Sequence, residues 1–236
     1  CIVVSPGGDT VLRSYFSEPE SWLHGITEGN PDMQAAIGRL SELGSRITYV
    51  VQDKQDGYGD AVLRARSWTG EEPVLVMLGD HVYISGATSR CARQLIDVFE
   101  RHQAPVSGVI RKQESDLKLF GTVYGSPVSN QPSVYHVTRM IEKPDIAYAR
   151  DHLHIKAMPV ATYLCFFGLH TLTPDIFDCL EKIKTDNLRE SREIQFTAAQ
   201  AMLVGRDAYY ACEIDGTPYD IGVPEGYVRT VQAFGV

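Results

Sequence analysis

The chain has 236 residues, enough for one α/β domain or one domain with a small appendage, and its apolar and charged fractions are ordinary for a globular protein. A formal net charge of −8, with no basic block against it, argues against non-specific nucleic-acid binding. No apolar run approaches the roughly 20 residues that a membrane-spanning helix needs.

Five cysteines (Cys1, Cys91, Cys165, Cys179 and Cys212) are scattered, and none forms a C-x-x-C pair. Neither a zinc site nor a disulfide framework is signalled, and a reducing cytoplasm fits best. Cys165 and Cys179 lie among apolar neighbours and are expected as buried thiols. The chain opens on Ile2-Val3-Val4, a strand already under way, with no initiating Met and no signal peptide. Residues are therefore expected ahead of Cys1.

Ile2 to Ser5 reads as a strand closed by Pro6-Gly7-Gly8-Asp9, and Val11, Leu12, Tyr15 and Phe16 then recur at helical spacing. Residues 17–31 hold Pro19, Gly25, Gly29 and Pro31 and are expected as a loop or broken helix. Met33, Ile37, Leu40 and Leu43 share one helical face, with Gly44 as the stop. Residues 46–52 form the next strand. Gly57-Tyr58-Gly59-Asp60 then opens a helix. Such a loop can bring free backbone N–H groups close to a ligand. On the residues alone, Asp60 as a plain N-cap beside two turn glycines is favoured.

Residues 74–78 (Val-Leu-Val-Met-Leu) read as a strand buried on both faces and ending in Gly79-Asp80. Ligands of open α/β sheets sit at such carboxyl ends, where a carboxylate can hold a hard cation. Asp80 as a turn or cap residue is the plain alternative. A helix over 87–102, with Cys91, Leu95, Val98 and Phe99 inward, leads to a strand over 105–110. The alternation predicts a Rossmann-like, doubly wound and mostly parallel sheet.

From residue 116 the rhythm changes. Residues 120–125 and 134–141 read as an antiparallel pair joined by the turn-rich link 126–133. The second strand ends in Glu142-Lys143-Pro144, where Pro144 should hold Lys143 extended and the two charges should point to opposite faces. A solvated pair is the default reading. Residues 163–167 are an apolar strand before Gly168. Thr173-Pro174-Asp175 starts a helix with Ile176, Phe177, Leu180 and Ile183 inward. Ser191 is expected to cap a helix running to Leu203, followed by a strand over 208–214 and a last helix over 224–234.

These signals occur together and in order: Gln52 before Gly57-Tyr58-Gly59-Asp60-Ala61-Val62-Leu63, then Leu78-Gly79-Asp80, then Phe120-Gly121-Thr122-Val123 before Ile141-Glu142-Lys143-Pro144. Gly168-Leu169-His170, Glu193-Ile194-Gln195-Phe196-Thr197 and Tyr219-Asp220-Ile221-Gly222 follow. The series resembles the sugar-1-phosphate nucleotidyltransferases, in particular the bacterial UTP–glucose-1-phosphate uridylyltransferases. There the stretches read Q…GLGHAVL, L-(G/P)-D, YG-V, EKP, GRYVL, EIQLTDA and YDCG. The likeness runs over nearly the whole chain.

The resemblance implies transfer of a uridylyl group from UTP to glucose 1-phosphate, giving UDP-glucose and pyrophosphate. It implies Mg²⁺ held by Asp80 and Asp220, with Lys143 as the third member of the catalytic set. Gln52 would meet the uracil edge and Gly57 would let backbone lie against the nucleotide. Glu142 would take glucose hydroxyls, Lys143 the sugar phosphate, and Gly121 and Gly168 would give the sugar room. A homo-oligomer is what the family suggests.

Departures are plain. The family's G-x-G-T-R loop and later P-K pair have no counterpart here. Residues 1–236 are thus expected as one nucleotidyltransferase domain without its first strand and glycine-rich phosphate loop, roughly 50 residues lying ahead of Cys1. Asp60 stands where the family has His, His170 where it has Tyr, and Ala198 where it has Asp. A catalytically inactive nucleotide-sugar-binding or regulatory homologue is the alternative. A metal-dependent glycosyltransferase would want an acid-x-acid motif, which Asp80-His81-Val82 does not supply.

Overall fold

The structure is a computed structural model that describes residues 1–17, 30–188 and 193–235. The chain divides into two compact units, residues 1–70 with 188–195, and residues 71–187 with 196–236. The expected loop over 17–31 falls almost wholly, and the Ser191 cap entirely, outside the described residues.

In the first unit, β1 (Ile2–Val4) pairs in parallel with β2 (Tyr49–Val51), the connection running through α1 (Gly8–Ser17) and α2 (Pro31–Ser45). Asn30 caps α2 by accepting from the Met33 N–H, with Pro31 in the first turn. Gly44 is not the stop, because α2 runs one residue beyond it. Its role is clearance: a Cβ there would lie 2.8 Å from the Phe16 carbonyl oxygen. Of the expected apolar face only Ile37 is buried, and Leu43 is exposed. Helices α3 (Tyr58–Arg64) and α4 (Arg66–Thr69) follow β2. Asp60 is not the N-cap of α3. Gly57 holds that position, and Asp60 lies inside the helix.

The second unit is built on a sheet of order β3-β8-β5-β9-β7-β6 among the described residues. Its strands are β3 (Val74–Met77), β5 (Val106–Gln113), β6 (Thr122–Val128), β7 (Gln131–Ile141), β8 (Thr162–Leu172) and β9 (Tyr210–Glu213). Strand β4 (His81–Ser85) pairs apart from it, antiparallel to β10 (Gly216–Asp220). The helices are α5 (Cys91–His102), α6 (Ile146–His152), α7 (Asp175–Thr185), α8 (Phe196–Val204) and α9 (Pro224–Phe234).

The α/β class holds, but strand directions are more mixed than the alternation suggested. β5 and β9 are parallel, whereas β8 runs against both β3 and β5. The expected β6/β7 hairpin forms, with strands that absorb most of the predicted link and leave Asn130, at φ 61°, in the turn. β3 is not buried on both faces. It is an end strand with β8 as its neighbour, and Met77 is 50% exposed.

The core positions of α5 and α7 follow the sequence pattern. Cys91, Leu95, Val98 and Phe99 pack with Val106, Phe167, Leu169 and Ile214. Ile176, Phe177, Leu180 and Ile183 are buried. Each such side chain contributes roughly 1.5–3 kcal/mol by area. Cys165 and Cys179 are buried free thiols as expected, joined by Cys91 and Cys212. Burial pushes the Cys165 thiol up to about 11, which keeps it protonated and unreactive.

One polar cluster lies inside this core. Ser107 Oγ is 2.8 Å from His170 Nδ1 and 2.7 Å from the Tyr209 hydroxyl, and Gln200 Nε2 is within 3.2 Å of all three. Burial lowers the His170 pKa to about 3, so the imidazole is neutral in the fold. The unfolded chain takes up that proton below about pH 6.5, and the fold does not until about pH 3. Stability must therefore fall as pH drops through this window, by about 1.4 kcal/mol per pH unit. Denaturant melts between pH 7 and pH 4.5 should show this slope. A His170→Asn variant should start less stable but lose most of it.

Candidate active site

Asp80 sits in the turn that follows β3, and Asp220 is the last residue of β10. Two antiparallel strands bring them together. In the β4/β10 register Asp220 faces His81, and the Ile221 N–H donates to the Asp80 carbonyl at 2.8 Å. The carboxylates then converge on one spot beside Gly222. A Cβ built there would lie 2.7 Å from Asp80 Oδ2 and 3.1 Å from Asp220 Oδ1. The Gly222 N–H also donates to Asp220 Oδ1 at 2.8 Å.

Two carboxylate oxygens facing one point across a bare glycine are a donor set for a hard cation. No cluster of three or more His, Cys, Asp or Glu able to hold a metal occurs among the described residues. A cation here would need further oxygens from water or phosphate, which is how Mg²⁺ is commonly held.

Sequence reasoning singled out neither β4 nor what its side chains do. His81 and Tyr83 lie two apart and share a face of the ribbon. Both reach Gly168, where a Cβ would meet His81 Nδ1 at 2.6 Å and the Tyr83 hydroxyl at 2.9 Å. Tyr83 donates to the Gly168 carbonyl at 3.1 Å. Burial, with the Asp80 charge second, raises the Tyr83 pKa and keeps the phenol a donor. Gly168 has φ 93° within an irregularity of the β5/β8 pairing, a backbone that β-carbon residues rarely adopt. The space expected for a sugar at its bare face is thus filled by these two side chains.

Farther back on β8, Phe166 covers Gly121, whose Cβ would meet the ring at 2.5 Å and Glu142 Oε2 at 2.9 Å. Glu142 and Lys143 do not point apart. Lys143 has φ 44° rather than the extended geometry expected before a proline, and its Nζ is 3.8 Å from Glu142 Oε1. Both lie past the end of β7, so strand alternation no longer governs them. Thr197 donates to Glu142 Oε2 at 2.6 Å. No local pattern in the sequence points to this hydroxyl. It fixes one carboxylate oxygen and leaves Oε1 towards Lys143, which is 58% exposed.

In the first unit, Gln52 Nε2 donates to the Gly57 carbonyl at 3.2 Å and to Asp60 Oδ2 at 3.0 Å. Gly57 has φ 98°, and its bare face is taken by Glu193 and Ile194, which a Cβ would meet at 2.8 to 3.0 Å. That clearance lets Ile194 bond with Asp56 and Gly59. The glycine is therefore explained by chain packing on that face. The extra negative charge of Asp60 is offset by Arg64, whose Nε lies 3.1 Å from Oδ2.

An α/β fold that gathers two carboxylates at the carboxyl end of a sheet strand has them where open α/β sheets place their ligands. The comparisons narrow this. The profile of a family described as nucleotidyl transferase matches residues 25–234, and the chain belongs to that family. The UTP–glucose-1-phosphate uridylyltransferase of Staphylococcus epidermidis is 32% identical over 209 residues, covering 89% of this chain and 66% of that protein. UTP–glucose-1-phosphate uridylyltransferase 1 of Staphylococcus saprophyticus is 31% identical over 237 residues, covering 100% of this chain and 76% of that protein. An apo UDP-glucose pyrophosphorylase structure matches at a TM-score of 0.79 and 25% identity, over 99% of this chain and 79% of its own. A UTP-bound UGPase from Acinetobacter baumannii matches at 0.74 and 25%, over 95% and 73%. The chain spans about two thirds of the S. epidermidis relative.

Gly222→Ala puts a methyl group between the two carboxylates at a position with no left-handed backbone demand. It should weaken Mn²⁺ binding about tenfold or more, as loss of supporting geometry does at metal sites. The melting temperature should stay within about 2 °C. Paramagnetic titration reads the first effect and calorimetry the second.

Proposed function

We propose that this chain carries the transfer chemistry of a UTP–glucose-1-phosphate uridylyltransferase. A phosphate oxygen of glucose 1-phosphate attacks the α-phosphorus of UTP in line. A new P–O bond forms there, the bond from the α-phosphorus to the bridging oxygen breaks, and pyrophosphate leaves with that electron pair. UDP-glucose is the other product. The observation that carries this reading is the convergence of Asp80 and Asp220 beside Gly222. The names of the relatives supply the substrates.

In such a reaction the protein mainly positions groups and offsets charge. Asp80 and Asp220 would hold Mg²⁺, which when bound polarises phosphoryl oxygens and offsets their charge. The donor set fits, since both groups are hard oxygen ligands and the glycine leaves the space open. Lys143 directs its ammonium to the sugar phosphate. Glu142 accepts from glucose hydroxyls through Oε1, because Thr197 already holds Oε2. Gly121 makes room for that carboxylate, and Gly168 allows β8 to bend beneath His81 and Tyr83. In the first unit, Gln52 meets the uracil edge beside Gly57. None of the helices among the described residues is long and apolar enough to cross a membrane. With four buried free thiols, we place the protein in the cytoplasm.

The test is pyrophosphate release from UTP and glucose 1-phosphate with Mg²⁺. Asp80→Asn should lower the rate about 100-fold or more. Lys143→Ala should raise KM for glucose 1-phosphate about tenfold and leave KM for UTP within about twofold, as loss of one charged contact to one substrate does. Equal losses for both substrates would remove Lys143 from the sugar-phosphate site. No release by the unaltered chain, with nucleotide sugar still bound, would favour the non-catalytic reading.

A further inference from the structure

Gln52 follows β2, and Asp60 lies in the first turn of α3 facing inward. Both are buried, Gln52 at 9% and Asp60 at 1% exposure. One terminal atom of the Gln52 amide faces two oxygens, the Gly57 carbonyl at 3.2 Å and Asp60 Oδ2 at 3.0 Å. A backbone carbonyl can only accept a hydrogen bond, so that atom must be the NH₂. The amide orientation is thus assigned by its neighbours' chemistry. Both N–H groups are committed inside the protein. Oε1, the other end, takes no hydrogen bond among the described residues. Asp60 is itself anchored by Arg64, whose Nε donates to the same Oδ2 at 3.1 Å.

We propose that Asp60 is a positioning residue that sets base selectivity, by locking the Gln52 amide so that only its carbonyl oxygen faces the base. The proposal rests on the reading above that Gln52 meets the base. A locked Oε1 is an acceptor and nothing else. Uracil offers it a donor at N3–H. Cytosine presents a lone pair at N3 and adenine a lone pair at N1, and two acceptors face to face leave both unpaired. Thymine has the same N3–H, with its methyl group away from this edge, so this contact does not separate UTP from dTTP. Without the Asp60 acceptor only the Gly57 carbonyl still holds the NH₂, and an amide that turns away from it offers that NH₂ to the base, a donor that suits cytosine. In this chain Asp60 stands where the resembling enzymes carry His, so the lock belongs to this sequence.

The experiment is calorimetric binding of UTP and CTP to the whole chain and to Asp60→Asn, which keeps the shape but can donate to a turned amide. A thermal melt of each protein checks that it is folded, and Asp60→Ser replaces Asn if that variant is not. The unaltered chain should prefer UTP, and the variant's UTP-over-CTP ratio should fall about tenfold or more while UTP affinity changes less. A general loss of structure would weaken both nucleotides alike and leave the ratio unmoved, which would overturn the proposal. A second probe needs no variant: 3-methyl-UTP lacks the N3–H and should bind the unaltered chain far more weakly than UTP. Equal binding would overturn the lock. If the unaltered chain binds UTP without preferring it to CTP, this inference falls and the proposed function stands. If it binds neither UTP nor UDP-glucose, the proposed function falls, and the inference with it.

Discussion

The pairing of β4 with β10 is the constraint on which the rest of the site depends. Asp80 and Asp220 are far apart in sequence, and neither is informative alone. Five residue pairs set the register, and that register leaves Asp220 opposite His81, directly after Asp80. A slip of one residue would turn the side chains to the other face. The ribbon is held from both ends. Gly216 admits Cys91 Sγ, 2.6 Å from where its Cβ would be. Gly226, in the first turn of α9, would place a Cβ only 1.8 Å from the Asp220 carbonyl oxygen. α9 can therefore close on Asp220 only because residue 226 has no side chain.

A second support runs beneath β8. The His170 ring makes edge contacts with Phe166 and Phe196, at 5.1 and 5.3 Å between centroids. Phe166 covers Gly121 beside Glu142, and Phe196 precedes Thr197, which bonds Glu142. The buried cluster of Ser107, His170, Gln200 and Tyr209 thus fixes the ring between the two aromatics that flank the glutamate. Such a cluster is costly unless satisfied, and Gln200 Oε1 has no hydrogen-bond partner among the described residues. The neutral state of His170 follows from the same burial that makes it rigid.

Much of this was legible in the residues. The inward faces of α5 and α7 follow helical spacing, and α9 spans the residues 224–234 expected as the last helix. The β6/β7 pair was readable from its turn signals. What could not be read were non-local facts. β4 and β10 are short and half-buried, so neither carries a clear apolar period. β3 looked like a central strand because five apolar residues in a row do not reveal how many neighbours they have. The left-handed φ of Lys143 overrides the local preference before a proline and comes from the turn that ends β7. Asp60 reads as a cap because an acid beside two turn glycines commonly opens a helix. Its burial against Gln52 and Arg64 is a tertiary fact. A short motif is enough to nominate a residue for the site, whereas what His81, Tyr83, Thr197 and Gly222 do lies in what they touch, which no local pattern carries.

The central claim is that Asp80 and Asp220 form one divalent-cation site. Crystals soaked in Mn²⁺ and measured at the manganese absorption edge test it most directly. The account predicts an anomalous peak bound by both carboxylates, beside Gly222. A peak elsewhere, or none between these two residues, would contradict it.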